Sequence, residues 1–324
     1  MRYCIISDIH GNINALEAVL QEAHKQNIDE YIFLGDYYGD LPYPNEIPMK
    51  INELSKQYPV HMIKGNKEDY LIELHTSNKK KWIHKQFHSL YWNYNELSDD
   101  HLQFYMNLPN EKTVKYKDFM GKDTSILLVH SIKSRIQNTK FRDFSSSKFA
   151  ERYDLAPFSH EEYLENIMET IAKDQQLQSD LMGIDENIIL CGHSHIQWHA
   201  TYDDKLIINA GSCGLPLDYD TSAAYTILEV NESNAEENYN VFEQRIQYDR
   251  KSLILRTKES SYYDYAKDWC DIVFKQLDTG RDEIFFFFEH ANEIALSIGE
   301  DRWPLTEFVW TQAIATWREK IDMR

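Results

Sequence analysis

Five short segments in the first two thirds of the chain carry side chains that bind divalent cations: Asp8-Ile9-His10-Gly11-Asn12, Gly35-Asp36, Gly65-Asn66, His130 and Gly192-His193-Ser194-His195. Taken singly, each has an ordinary reading. Gly-Asp or Gly-Asn after a strand is commonly a turn, and a lone histidine after an apolar run commonly makes a surface hydrogen bond. Even a His-x-His pair is more often something other than a metal site. Together, Asp8, His10, Asp36, Asn66, His130, His193 and His195 form an oxygen and nitrogen donor set with no thiolate. Such a set suits Zn, Mn, Fe or Ni better than a cysteine-rich structural zinc. Seven donors exceed what one ion needs and fit two ions that share a carboxylate.

Each segment directly follows a stretch that reads as a strand. Tyr3 to Ser7, Tyr31 to Leu34, Pro59 to Ile63, Ile126 to Val129 and Ile188 to Leu190 are short apolar runs, and Leu206 to Ile208 and Ala224 to Val230 follow them. Between the first two runs, Ile13, Leu16, Val19, Leu20 and Ala23 recur at helical spacing, with Asn12 or Asn14 available as N-cap. Alternating strands and amphipathic helices predict an α/β chain. In a parallel sheet, residues just past the carboxyl ends of neighbouring strands converge on one crevice, which would gather all seven donors at one edge. The glycines beside Asp36, Asn66 and His193 would let each donor leave its strand through a sharp turn.

Three stretches break this rhythm. Residues 70–110 read as helical and rich in lysine, histidine and aromatics, with Lys79-Lys80-Lys81 as a solvated helix end. Residues 133–183 read as a polar insertion containing a helix around Tyr163 to Ile171, placed to cap the site. Beyond residue 250 helices dominate. There Trp310, Ile314, Trp317 and Ile321 form a stripe expected to pack on the domain, with a homo-oligomer contact as the alternative. The division expected is 1–250 for the main domain and 251–324 for a helical extension. Asn231 to Asn238 reads as a hairpin turn or flexible edge.

The 324 residues can bury a large core. A net charge of −19 argues against sequence-independent nucleic-acid binding, which needs clustered Lys and Arg. No apolar run approaches the roughly 20 residues that span a bilayer. The first residues read as a strand rather than a signal peptide, and Cys4, Cys191, Cys213 and Cys270 form no CxxC pattern. Reduced buried thiols and a cytoplasmic location are therefore expected.

The ordered set DxH, GD, GN, H, GHxH resembles the calcineurin-like metallophosphoesterases. Asn209-Ala210-Gly211-Ser212-Cys213-Gly214-Leu215-Pro216 resembles the NPGSVGQP stretch of their small bacterial and archaeal branch. Gly35-Asp36-Tyr37-Tyr38-Gly39-Asp40-Leu41-Pro42 with Pro44-Asn45-Glu46 resembles that branch's GDxxGxGPxPNE. The likeness covers about residues 1 to 230. It implies a four-layer αββα sandwich of two mixed sheets, and two divalent metal ions. Asp8, His10, Asp36 and His195 would hold one ion; Asp36, Asn66, His130 and His193 would hold the other. It further implies hydrolysis of a phosphate ester or anhydride by a hydroxide bridging the ions.

Many family members place a histidine directly after the third-motif asparagine, where it can protonate the leaving group, and some have cysteine. This chain has Lys67. Lysine, with an ordinary pKa of about 10.4, is a poor acid at neutral pH, and Glu68 or Asp69 beside it would keep it charged. Lys67 is thus expected to steady phosphoryl charge, which favours leaving groups that need no proton, such as those of a phosphoanhydride. A small nucleotide-like substrate follows, with diadenosine tetraphosphate as the specific expectation. Asn66, Lys67 and His130 are the catalytic candidates; Lys67, Lys133 and Arg135 are the phosphate contacts. Tyr37, Tyr38, Tyr43 and Trp92 offer stacking surface for a base. Ser212 and Cys213 lack the neighbouring base that a nucleophile requires. The alternatives are a phosphoprotein phosphatase, disfavoured by the missing histidine, and a non-catalytic scaffold such as the retromer subunit of this superfamily.

Overall fold

Successive side chains of a strand point to opposite faces, and in this chain both faces are apolar. Tyr3 and Ile5 of β1 (Arg2–Ile6) enter one hydrophobic cluster, while Cys4 and Ile6 enter another. Ile126 and Leu128 of β5 (Asp123–Val129) join the first cluster, and Leu127 and Val129 join a third. A strand buried on both sides needs a layer over each face, so this pattern dictates four layers. The computed structural model, which describes residues 1–77, 79–117, 123–135, 159–230, 239–300 and 302–322, has that architecture.

One sheet runs β10-β9-β1-β2-β3, with β2 at Glu30–Phe33, β3 at Val60–Met62, β9 at Ala223–Val230 and β10 at Tyr239–Ile246. The other runs β4-β5-β6-β8-β7, with β4 at Glu111–Lys117, β6 at Ile188–Cys191, β7 at Gln197–Tyr202 and β8 at Lys205–Ala210. Strands β1, β2 and β3 are mutually parallel, as are β5, β6 and β8, so the ends that matter point the same way within each sheet. The cluster containing Tyr3, Ile32, Ile126, Ile188 and Leu228 lies between the sheets. Helices α1 (Ile13–Ala23) and α2 (Glu46–Leu54) cover the outer face of the first sheet. Helices α6 (His160–Lys173) and α7 (Gln175–Met182) cover the second.

Asn12 caps α1, its side chain accepting from the Ala15 N–H at 3.0 Å. The region 70–110 is helical, comprising α3 (Asn66–Thr76), α4 (His88–Glu96), α5 (Asp99–Met106) and short 3₁₀ turns. The extension holds α8 (Arg250–Lys258), α9 (Ser261–Thr279), α10 (Glu283–Ser297) and α11 (Glu307–Asp322). Trp310, Ile314 and Trp317 of α11 are buried in the same cluster as Leu16 and Val19 of α1. All four cysteines are buried free thiols. Among the described residues no helix is long and apolar enough to cross a membrane. The side chain of Ile321, residues 136–158 of the insertion and the 231–238 loop lie outside the described residues.

Candidate metal centre

The loops after β1, β2, β3, β5 and β6 meet at one edge of the sandwich and are laced together by main-chain bonds. Asp8 N–H donates to Gly35 O at 3.1 Å, His10 N–H to Asp36 O at 2.9 Å, and Gly192 N–H to His130 O at 3.0 Å. Glu68 makes the tie between the second and third loops. Its buried carboxylate accepts from the N–H groups of Asp36 (3.0 Å), Tyr37 (3.0 Å) and Gly65 (2.7 Å).

Asp8, His10, Asp36, His193 and His195 all have left-handed backbone, with φ between 54° and 68°. They are five of the eight non-glycine residues with positive φ among those described. Each costs on the order of 1–3 kcal/mol, and such strain gathers where a site fixes its side chains. The glycines beside the donors are needed for different reasons. Gly35 takes positive φ, but Gly65 does not; a Cβ there would lie 2.2 Å from Asp36 Oδ1. Its need is close approach, not backbone freedom.

The imidazoles are oriented from behind. His130 Nδ1–H donates to Leu34 O at 2.7 Å and His195 Nδ1–H to Leu215 O at 2.6 Å. His10 Nδ1–H donates to Asp40 Oδ2 at 2.6 Å. A carbonyl only accepts, so Nε2 of His130 and of His195 carries a lone pair directed inward, as outer-shell partners of metal-binding histidines arrange it. These acceptors crowd one another. His10 Nε2 lies 3.1 Å from His195 Nε2, and Asn66 Oδ1 lies 3.1 Å from His130 Nε2 and 3.0 Å from His193 Nδ1. Lone pairs face one another at such distances only with a proton or a cation among them.

The carboxylates complete the set. Asp8 Oδ2 accepts from His193 N–H at 2.9 Å, while Asp8 Oδ1 is buried with no hydrogen-bond partner, 3.3 Å from His195 Nε2 and 3.7 Å from His10 Nε2. Asp36 stands between two groups, with Oδ2 3.6 Å from His10 Nε2 and Oδ1 3.6 Å from His130 Nε2. Among the described residues, two sets of donor atoms are close enough to hold an ion: Asp8, His10 and His195, and Asp8, Asp36 and His130. The orphaned oxygen and inward lone pairs fit divalent cations. Without a cation, the electrostatics are those of acids and bases held together. Burial favours a neutral Asp8, yet the imidazoles of His195, His10 and His130 hold its carboxyl well below the usual range. Burial lowers His10, but the bonds to Asp40 and Asp8 outweigh it and raise the ring to about 9. Asp36 and Asp8 likewise overcome burial to raise His130. Burial and the charge of His130 depress His193 to about 4.

All seven predicted donors therefore meet. Lys67 sits beside them, its Nζ 2.9 Å from Asp40 Oδ2 and its stem against Gly39. Burial works against its charge, but Asp40 and Asp36 prevail and raise its pKa. The expected partners Glu68 and Asp69 are occupied elsewhere, Asp69 pairing with Lys64 at 2.7 Å. Lys133 and Arg135 lie in the short turn that follows His130. Both are exposed, and Arg135 pairs with Glu111 at 2.6 Å. A cleft of about 380 Å³ opens onto Asn66, His130 and His193, also lined by Asn110, Glu111 and Ser131. Tyr37, Tyr38 and Tyr43 are buried core residues rather than a stacking platform, and Trp92 packs edge-on to Tyr262. Ser212 is spent on structure, its hydroxyl donating to Asp8 O at 2.7 Å. Sequence reasoning missed Asp40 and Glu68. Asp40 lies in the Gly35 to Pro42 stretch, where Gly-Asp-Leu-Pro has the pattern of a turn.

An uncharacterized protein of Methanocaldococcus jannaschii is 26% identical over 266 residues, spanning 76% of this chain and 88% of that protein. The fold is similar to that of a metallophosphoesterase from Sphaerobacter thermophilus, with a TM-score of 0.56 and 22% identity over 86% of this chain and 100% of that one. It is also similar to a hypothetical protein from Pyrococcus horikoshii OT3, with a TM-score of 0.57 and 19% identity over 84% and 97% of the two chains. At these identities the structural likeness is one of fold alone. The model of the calcineurin-like phosphoesterase superfamily domain matches residues 1–233. With that match over most of its length, and with Asp and His groups able to hold metal at the tips of its central strands, the chain belongs to the calcineurin-like phosphoesterase superfamily.

Proposed function

We propose that the protein hydrolyses phosphodiester or phosphoanhydride bonds of a small, nucleotide-like substrate with the help of two divalent cations. The observation that carries this reading is the convergence of ring nitrogens of His10, His195, His130 and His193 and of Asn66 Oδ1 around Asp8 and Asp36, with Asp8 Oδ1 unpartnered. Two ions, when bound, supply Lewis-acid polarisation of the phosphoryl oxygens and activation of a water. Asp8, His10, Asp36 and His195 would hold one of them; Asp36, Asn66, His130 and His193 would hold the other. The chain's own contribution is to fix these donors before substrate arrives, through the backing bonds from Leu34, Leu215 and Asp40.

Lys67, fixed by Asp40, brings a positive charge to the rim, where it would balance the phosphoryl group as its negative charge grows. No histidine stands ready to protonate a departing alkoxide at that position, so leaving groups that are stable as anions are favoured. A terminal or bridging phosphate of a nucleotide is one, and the cleft volume is in the range of small-molecule sites. Diadenosine tetraphosphate is the specific proposal.

The test is a panel of nucleoside and dinucleoside polyphosphates, with bis(p-nitrophenyl) phosphate as activated reference, assayed with Mn²⁺ and again after chelation. Turnover with Mn²⁺ and its loss with chelator are expected, with phosphoanhydrides cleaved faster than phosphoserine peptides. Bound metal with no turnover of the activated ester would favour a scaffold, and faster dephosphorylation of the peptides would favour a protein phosphatase.

A further inference from the structure

Asp40 is 2% exposed and its carboxylate takes three donors. Oδ2 receives His10 Nδ1–H at 2.6 Å and the Lys67 ammonium at 2.9 Å, and Oδ1 receives the indole N–H of Trp269 at 3.0 Å. Its main-chain carbonyl receives the Tyr262 hydroxyl at 2.7 Å, and Tyr262 Oη is in turn 2.6 Å from Ser89 Oγ. Trp269 and Tyr262 both belong to α9, outside the part of the chain that matches the family domain. The helix bends between them, at Ala266 (φ −116°, ψ 30°), and the neighbouring Tyr265 carbonyl is bonded by His88 Nδ1 at 2.9 Å.

A carboxylate can turn about its Cβ–Cγ bond, and His10 and Lys67 compete for the same oxygen. The indole on the other oxygen sets that rotation; the tyrosine sets the main chain beneath it. We propose that the C-terminal extension is part of the site, with Trp269 and Tyr262 as positioning residues that orient Asp40 and, through it, His10 and Lys67. The effect on metal rests on the metal reading above; the effect on His10 does not.

The experiment uses the full-length protein and its Trp269→Phe, Tyr262→Phe and Asp40→Asn variants. Trp310→Phe is the control, because it removes another indole bond of the extension, the one to Asp268 Oδ2 at 3.1 Å, without touching Asp40. Calorimetric titration of the metal-free proteins with Mn²⁺ reads affinity, and ring ¹⁵N spectra, recorded above pH 9 where the His10 ring is neutral, read which of its nitrogens carries the proton. Asp40→Asn is expected to lose roughly 10–100-fold in affinity, as outer-shell changes do, and Trp269→Phe about fivefold in the same direction. In both, the His10 proton leaves Nδ1 in part of the population, with Tyr262→Phe shifting it less. Trp310→Phe should bind Mn²⁺ as wild type does, even where its unfolding midpoint falls. The proposal is overturned if Trp269→Phe and Tyr262→Phe match Trp310→Phe in both readouts. If the wild type takes up no Mn²⁺, the metal reading fails, and the ring spectra still decide the positioning role.

Discussion

Asp36→Asn is expected to abolish most of the activity while leaving the fold in place. The amide keeps the shape of the carboxylate, so an oxygen can still accept the Lys67 N–H, now held at 2.8 Å, and the backbone ties through Glu68 and His10 are unchanged. What disappears is one of the two carboxylate charges lying between His10 and His130, the other being that of Asp8. A cation pair that shares this residue would lose affinity in both positions. If about 4 kcal/mol of transition-state stabilisation goes with it, kcat on bis(p-nitrophenyl) phosphate falls on the order of a thousandfold. Metal content after dialysis should drop below that of the wild type, with the circular dichroism spectrum unaltered. A variant that retained wild-type turnover would remove Asp36 from the centre of the account.

Lys67→Ala is the second large expectation, and its signature is a loss shared by all substrates. Removing one preorganised charge from an oxyanion site costs about 10²–10³-fold in kcat, and here the loss should reach every substrate, activated or not. Lys67→His should behave differently. It places at the position a group that titrates near neutrality. Relative to Lys67→Ala it should therefore recover hydrolysis of alkyl esters, whose alkoxides need a proton, more than that of p-nitrophenyl esters. Equal rates for wild type and both variants on all substrates would show that Lys67 takes no part. The Asp40 ion pair makes the substitution more than a surface change, because Lys67→Ala also strips a cation from a buried carboxylate.

Six of the seven donors were legible in the sequence because each stands just beyond a central strand, and central strands are continuous apolar runs; Asn66 follows β3, a sheet edge. Ile126 to Val129 and Ile188 to Leu190 could not easily be read as anything else. The strands that escaped notice, β4, β7 and β10, are all sheet edges. Glu111–Lys117 alternates lysines with Val114 and Tyr116, and Tyr239–Ile246 carries Asn, Glu, Gln and Arg, because an edge strand has a solvated side. Among the site residues, those missed act through partners that no local pattern links. Asp40 sits in a Gly-Asp-Leu-Pro stretch that reads as a turn, and its indole donor is 229 positions away. Glu68 read as a neighbour of Lys67, but as N3 of α3 its side chain turns back to the loop N–H groups. Tyr37 and Tyr38 looked available to a base because sequence gives no burial. Their hydroxyls instead reach the carbonyls of Ile63 and Lys67, at 2.8 and 2.7 Å, which lets both rings sink into the core.

Crystals grown with Mn²⁺, with diffraction recorded on both sides of the manganese absorption edge, address the central claim most directly. Two anomalous peaks are predicted at the strand tips, about 3.5–4 Å apart. One should be bounded by Asp8, His10, Asp36 and His195, and the other by Asp36, Asn66, His130 and His193. A single ion would contradict the account, as would ions bound away from His193 and His195 or an empty cluster at saturating Mn²⁺.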